Sequence, residues 1–76
     1  MVTAYVMVKA NTGEADRLKT MVMDIDGVVD SHIVAGDVDI IAKLDAESPA
    51  DVKGIAADGI QSVSGVEDTQ TYIAMD

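Results

Sequence analysis

Position 39 holds an aspartate where a strand would prefer an apolar or β-branched residue. It stands in the run Ala35-Gly36-Asp37-Val38-Asp39-Ile40-Ile41, one residue past a Gly-Asp pair. Glycine at the first central position of a two-residue loop suits a type II′ hairpin turn. The flanking apolar runs, 31–35 and 38–42, read as the two strands of that hairpin. A carboxylate inside such a strand must point to water or find a donor, because burying it alone is costly. Thr69 and Thr71 alternate on the last strand of the chain and so point the same way. A carboxylate near threonine hydroxyls and free backbone groups has the chemistry to hold a zwitterion. The acid takes an ammonium, and the hydroxyls and N–H groups take a carboxylate. The same residues also read simply as a turn acid and ordinary β-favouring threonines. Spacing alone leaves both readings open.

The other chemistry-bearing residues form no recognisable constellation. His32 is the one histidine and there is no cysteine, which argues against a transition-metal site. Asp24, Asp26 and Asp30, like Asp37 and Asp39, lack the loop spacing and terminal glutamate of an EF-hand. They read as a solvated acidic surface. No phosphate-binding loop, nucleophile elbow or dinucleotide fingerprint occurs. The reading is that of a chain without catalytic residues, metal or cofactor.

Charge narrows the partners. Fourteen acids against five bases give a net charge of −9 over 76 residues. The bases Lys9, Arg17, Lys19, Lys43 and Lys53 are scattered, so direct nucleic-acid binding is not expected. An acidic membrane surface would repel the chain, and no apolar run reaches transmembrane length. No signal peptide precedes the first strand pattern, and the expected location is cytoplasmic. The acidity fits generic solubility and also fits a halophilic chain adapted to concentrated salt.

These residues are positioned by six elements. Residues 3–10 alternate as a strand, with Ala4, Val6, Val8 and Ala10 on one face. Thr12 is a plausible N-cap, and Leu18, Met21, Val22 and Ile25 stripe a helix over about 13–23. Strands follow over 28–35 and 38–46. Ser48, Pro49 and Asp51 form a strong start for a second helix over about 49–62. Residues 66–75 form the last strand. Gly27-Val28-Val29-Asp30-Ser31 and Gly65-Val66-Glu67-Asp68-Thr69 mark an internal repeat. Two interlocked βαβ halves predict an α+β, ferredoxin-like βαββαβ plait, a four-stranded antiparallel sheet with both helices on one face.

The other sheet face carries Tyr5, Met7 and Ile41, with Tyr72 or Ile73 from the last strand, beside Lys9 and Lys43. Asp30 and Asp68 interrupt the alternation of their strands, which suggests bulges. That is much apolar surface for a small domain with no disulfide and no large aromatic core. Packing of this face against a second copy is expected.

The segments Ile25-Asp26-Gly27-Val28, Ala35-Gly36-Asp37-Val38-Asp39, Val63-Ser64-Gly65-Val66 and Thr69-Gln70-Thr71, in this order, resemble the effector-binding (RAM) domain of the Lrp/AsnC transcriptional regulators. The resemblance covers the whole chain, 1–76, as a single domain. It implies a plait that dimerises through its sheets, often closing into rings such as octamers, with amino-acid effectors in clefts between subunits. Carried over by position, the effector contacts are Gly36, Asp39, Thr69 and Thr71, with Asp39 meeting the ammonium; Asp37, at the same sheet end, joins the candidates from the residue pattern alone. Full regulators carry a helix-turn-helix domain that these residues do not contain. The implication is a stand-alone regulatory module acting through full-length Lrp/AsnC relatives. Two other readings remain: a cofactor-free enzyme of the dimeric α+β barrel type with His32 as base, for which no residue in the sequence stands out as a partner to His32, and a ligand-independent oligomerisation adaptor.

Overall fold

A computed structural model describes residues 1–76. The elements are β1 (Val2–Ala10), α1 (Ala15–Met23), β2 (Val28–Ile33), β3 (Ile40–Ala46), α2 (Pro49–Lys53, running on through the π-helical turns Gly54–Ile60) and β4 (Val66–Ile73). The sheet order is β2-β3-β1-β4, and every neighbouring pair is antiparallel. This is the expected ferredoxin-like plait. Ala4, Val6 and Val8 of β1 and Ile40, Ala42 and Leu44 of β3 are fully buried. Leu18 and Val22 of α1, and Val52, Ala56 and Ile60 of the second helix, complete one core on that side of the sheet.

Local chemistry explains the element boundaries, including those that depart from expectation. Helix α1 begins later than a Thr12 cap would place it. Gly13 adopts a positive φ of 81° and breaks the chain, and Glu14 becomes the N-cap without a side-chain capping bond. The Glu14 carboxylate instead accepts from Arg17 Nε at 2.6 Å. The second helix starts as read: Ser48 Oγ accepts from the Asp51 N–H, with Pro49 at the first helical position. After one turn it widens. The Gln61 N–H reaches back to the Ala56 carbonyl at 2.9 Å, a five-residue step typical of π turns. Gly54 and Gly59 lie in this widened stretch, where their low helical propensity weakens the tighter α geometry.

The Gly36-Asp37 hairpin turn is not formed. β2 ends at Ile33 and β3 begins at Ile40, so the connection is six residues long, 34–39. Gly36 has no positive φ, which a type II′ turn requires of its first central residue. Asp39 therefore sits just before β3 rather than inside it. The cause is the end of β1. The Asp39 N–H donates to the Val8 carbonyl at 2.9 Å, while the Asp39 carbonyl accepts from the Val34 N–H at 2.9 Å. The first bond ties the loop to β1, and the second carries the β2–β3 pairing one step beyond Ile33 and Ile40 before the loop opens.

Both suspected bulges are present, at equivalent places in the repeat. Val28 pairs with Leu44 and Asp30 with Lys43, leaving Val29 extra. Val66 pairs with Ala10 and Asp68 with Lys9, leaving Glu67 extra. In each half the aspartate after the bulge accepts from the next backbone N–H, Ser31 or Thr69, at 2.9 Å. The bulges set the phase of the strands that follow. Thr69 and Thr71 pair with the buried Val8 and Val6 and so share the helix-covered face. Asp68, Gln70 and Tyr72 pair with Lys9, Met7 and Tyr5 on the open face.

Candidate functional site

Two recesses meet at Thr69. One, of about 280 Å³, lies on the open sheet face. The 34–39 loop gives it Asp37 and Val38, β1 gives Met7 and Lys9, and β4 gives Asp68 and Gln70 along with Thr69. Its walls bring one cation and two carboxylates together, an arrangement suited to a small polar molecule bearing both charges. The other, of about 300 Å³, lies on the helix side between the second helix and β4. Thr69, Thr71 and Ile73 form its strand wall, and Val52, Lys53 and Ala56 lie across from them.

The residues singled out in the sequence are divided between these places. Asp37 and Thr69 line the open-face recess. Thr69 and Thr71 line the helix-side cleft together. Gly36 is exposed at the loop tip and lines neither. Asp39 also lines neither: it is half-buried, and its Oδ2 accepts from the Ala10 N–H at 2.8 Å. The donor that the awkward acid needs is the backbone at the end of β1, opposite the bulge in β4. One oxygen of the carboxylate is thereby engaged inside the chain.

Lys9, Asp68 and Gln70 in one recess, and Lys53, Ala56 and Gln61 in the other, went unmarked in the sequence. The bulge offered a signal for the first set. Once Glu67 is taken as the extra residue, Asp68 and Gln70 alternate onto the open face beside Lys9.

The open face is built as the strand alternation demands. Tyr5 pairs directly with Tyr72, Met7 pairs with Ile41 on one side and Gln70 on the other, and Lys43 pairs with Tyr5. Tyr72 is 55% exposed and Tyr5 37%. No element of the chain covers them.

His32 has a partner that went unmarked in the sequence. Its Nε2 lies 3.0 Å from Asp30 Oδ2, across the short side of β2. The Ser31 N–H and then His32 hold the Asp30 carboxyl below the ordinary carboxylate range. The pair is exposed, and neither side chain lines a recess. No three His, Cys, Asp or Glu side chains converge on a point that could hold a metal ion. No helix is long and apolar enough to cross a membrane.

Comparison with known proteins gives a consistent picture. The Lrp/AsnC ligand binding domain matches residues 3–76. An uncharacterized HTH-type transcriptional regulator of Pyrococcus abyssi is 29% identical over 77 residues, covering 97% of this chain and 51% of the regulator. The chain thus spans about half the length of that relative. A Thermus thermophilus protein of known structure superposes with a TM-score of 0.95 at 25% identity, over 100% of this chain and 95% of its own. A transcriptional regulator of Neisseria meningitidis, solved as its L-Met complex, superposes with a TM-score of 0.84 at 17% identity, over 99% of this chain and 50% of its own.

Proposed function

Since the chain belongs to the Lrp/AsnC ligand binding domain family, we propose that it is a regulatory module that self-assembles through its open sheet face and binds a small amino acid at the resulting subunit interface. The observation that carries this reading is one of adjacency. Met7 and Gln70 belong both to the open face and to the recess lined by Asp37 and Thr69. A second copy seated over Tyr5 and Tyr72 would roof that recess and remove its ligand from water. Desolvation of this kind strengthens each polar contact to the zwitterion.

In this reading Asp37, with the free oxygen of Asp39, meets the ammonium. Thr69 and the Gly36 loop backbone meet the carboxylate, and Thr71 supports the strand behind them. The family gives regulation as the outcome. The mechanism is linkage: a ligand held between subunits favours whichever assembly state binds it better, by its difference in affinity for the two. Partner regulators that carry a helix-turn-helix domain would read that state. The L-Met complex of the Neisseria protein supports an amino acid as the class of effector. The unaccompanied, exposed His32–Asp30 pair offers an enzyme no substrate pocket, so the regulatory reading is preferred. Light scattering of the chain with and without amino acids tests it.

A further inference from the structure

We propose that the open-face recess selects an amino acid whose side chain itself ends in a cation, and that Asp68 holds this second cation. The inference rests on the amino-acid reading above and adds to it the class of side chain.

The internal repeat shows what Asp68 lacks. Asp30 and Asp68 are equivalent residues: each follows a bulge, and the Oδ1 of each accepts from the next backbone N–H at 2.9 Å. That bond fixes the carboxylate and leaves Oδ2 to be engaged. In the first half His32, two residues on, places Nε2 3.0 Å from Asp30 Oδ2. In the second half the residue two further on is Gln70, whose Oε1 accepts from the Tyr72 hydroxyl at 3.2 Å instead. Asp68 Oδ2 is left without a partner. Lys9 is the cross-strand neighbour of Asp68, yet the two form no ion pair. The carboxylate that meets a ring nitrogen in one half therefore stands half-engaged in the wall of a recess in the other. A nitrogen cation on the ligand takes the place at Asp68 that His32 takes at Asp30.

Charge balance points the same way. Asp37 and Asp68 against Lys9 leave the recess with one negative charge in excess. A zwitterion brings one charge of each sign and leaves that excess in place, whereas a ligand with a second cation cancels it. The balance matters because a second copy roofing the recess excludes water, and an uncompensated charge is costly there. Met7 and Val38 are the only apolar wall residues. They can flank the alkyl stem of a cationic side chain, whose charged end reaches past them to a polar group. Asp37 keeps the α-ammonium, and Lys9 adds a cation to the donors that Thr69 and the loop backbone offer the ligand's carboxylate.

The test is calorimetry on the full chain at fixed salt with L-lysine, L-ornithine, L-arginine, L-norleucine, L-leucine and cadaverine, with amide NMR to locate each ligand. Norleucine is lysine without its side-chain nitrogen, and cadaverine is lysine without its carboxylate. At least one cationic amino acid should bind about tenfold or more tightly than norleucine and leucine, as one added charge-assisted contact predicts. It should shift the amides of Asp37, Asp68 and Gln70, and the tightest of the three gives the stem length and head group. D68N keeps an oxygen to accept from the Thr69 N–H and should bring the ratio of cationic to neutral affinity close to one. D37N should weaken both kinds of amino acid and keep the ratio. A neutral amino acid that binds at these amides as tightly as the cationic ones, or a ratio that D68N leaves unchanged, would overturn the proposal while the amino-acid reading stands. Cadaverine binding tighter than every amino acid would overturn it in favour of a diamine site. No heat and no shift with these or any other common amino acid would overturn both.

Discussion

Asp39 Oδ2 accepts a hydrogen bond from the Ala10 backbone N–H at 2.8 Å, while the Asp39 N–H donates to the Val8 carbonyl. One residue thus ties the loop before β3 to the end of β1 by both its side chain and its backbone. D39A should destabilise the chain by about 1–3 kcal/mol in urea unfolding, because it leaves a half-buried N–H without its charged acceptor. D39N keeps an acceptor oxygen and should cost less. If the remaining oxygen meets an effector's ammonium, D39N should still weaken amino-acid binding by about tenfold or more. A D39N variant that binds as the parent does would leave Asp39 a purely structural residue.

The glycines separate turn chemistry from spacing. Gly27 and Gly65 have φ of 98° and 103°, at equivalent points of the repeat. A side chain at Gly27 would meet Ile55 of the second helix, and one at Gly65 would meet Arg17 of α1. G27A and G65A should each cost about 1–3 kcal/mol, mostly as backbone strain. Gly36 has no positive φ and open space around it, so G36A should stay within about 0.5 kcal/mol of the parent. A large loss at Gly36 would restore the tight turn that its sequence suggests.

Self-assembly should depend on the Tyr5–Tyr72 pair. Y72D places a charge on the open face, on the edge strand β4, where burial against a second copy would strip it of water. The variant should keep its circular dichroism spectrum and run at the monomer mass in light scattering. A Y72D protein that retains the parent's mass would move the interface to another surface.

Asp30 gives the acid limb a specific contributor. Its carboxyl is held below the ordinary range, first by the Ser31 N–H and then by His32, with Lys43 adding a smaller attraction. A depressed carboxylate pKa stabilises the fold above the unfolded value, about 3.9, and that contribution is lost as pH falls through the lower folded value. In a carboxyl NMR titration Asp30 should therefore titrate below a free aspartate, and H32A should move it part of the way back. In urea unfolding the gap between parent and D30N should be level above about pH 5 and shrink in acid. An Asp30 that titrates as a free aspartate would remove both expectations.

The fold was legible in the sequence because its signals were local and repeated. Alternation in β1, the Ser48-Pro49 helix start and the two Gly-Val-x-Asp segments each name an element, and their order names the plait. The candidate site was legible only in part. Thr69 and Thr71 do share a wall, since two residues apart on a strand they must point the same way. The Gly36-Asp37 turn misled because a Gly-Asp pair between apolar runs satisfies the local rule for a hairpin. The Asp39 bonds to Val8 and Ala10, distant in sequence, override it. No pattern in the sequence announces such a long-range bond. The pairing of His32 with Asp30 is local by contrast: two residues apart on β2, both side chains share the open face, so the strand alternation carried that signal. The widening of the second helix was invisible for a different reason. Gly54 and Gly59 weaken an α-helix without forbidding one, so the pattern reads as an ordinary helix, although a side chain at Gly59 would press on Ile25.

The most direct measurement is molecular mass by multi-angle light scattering at fixed salt, with and without each common amino acid, paired with calorimetry on the same samples. The expected result is a mass of at least two chains, with heat of binding and a change in assembly for one amino acid or a small group of them. A monomer that gives no heat and no change in mass with any amino acid would contradict effector binding at a subunit interface.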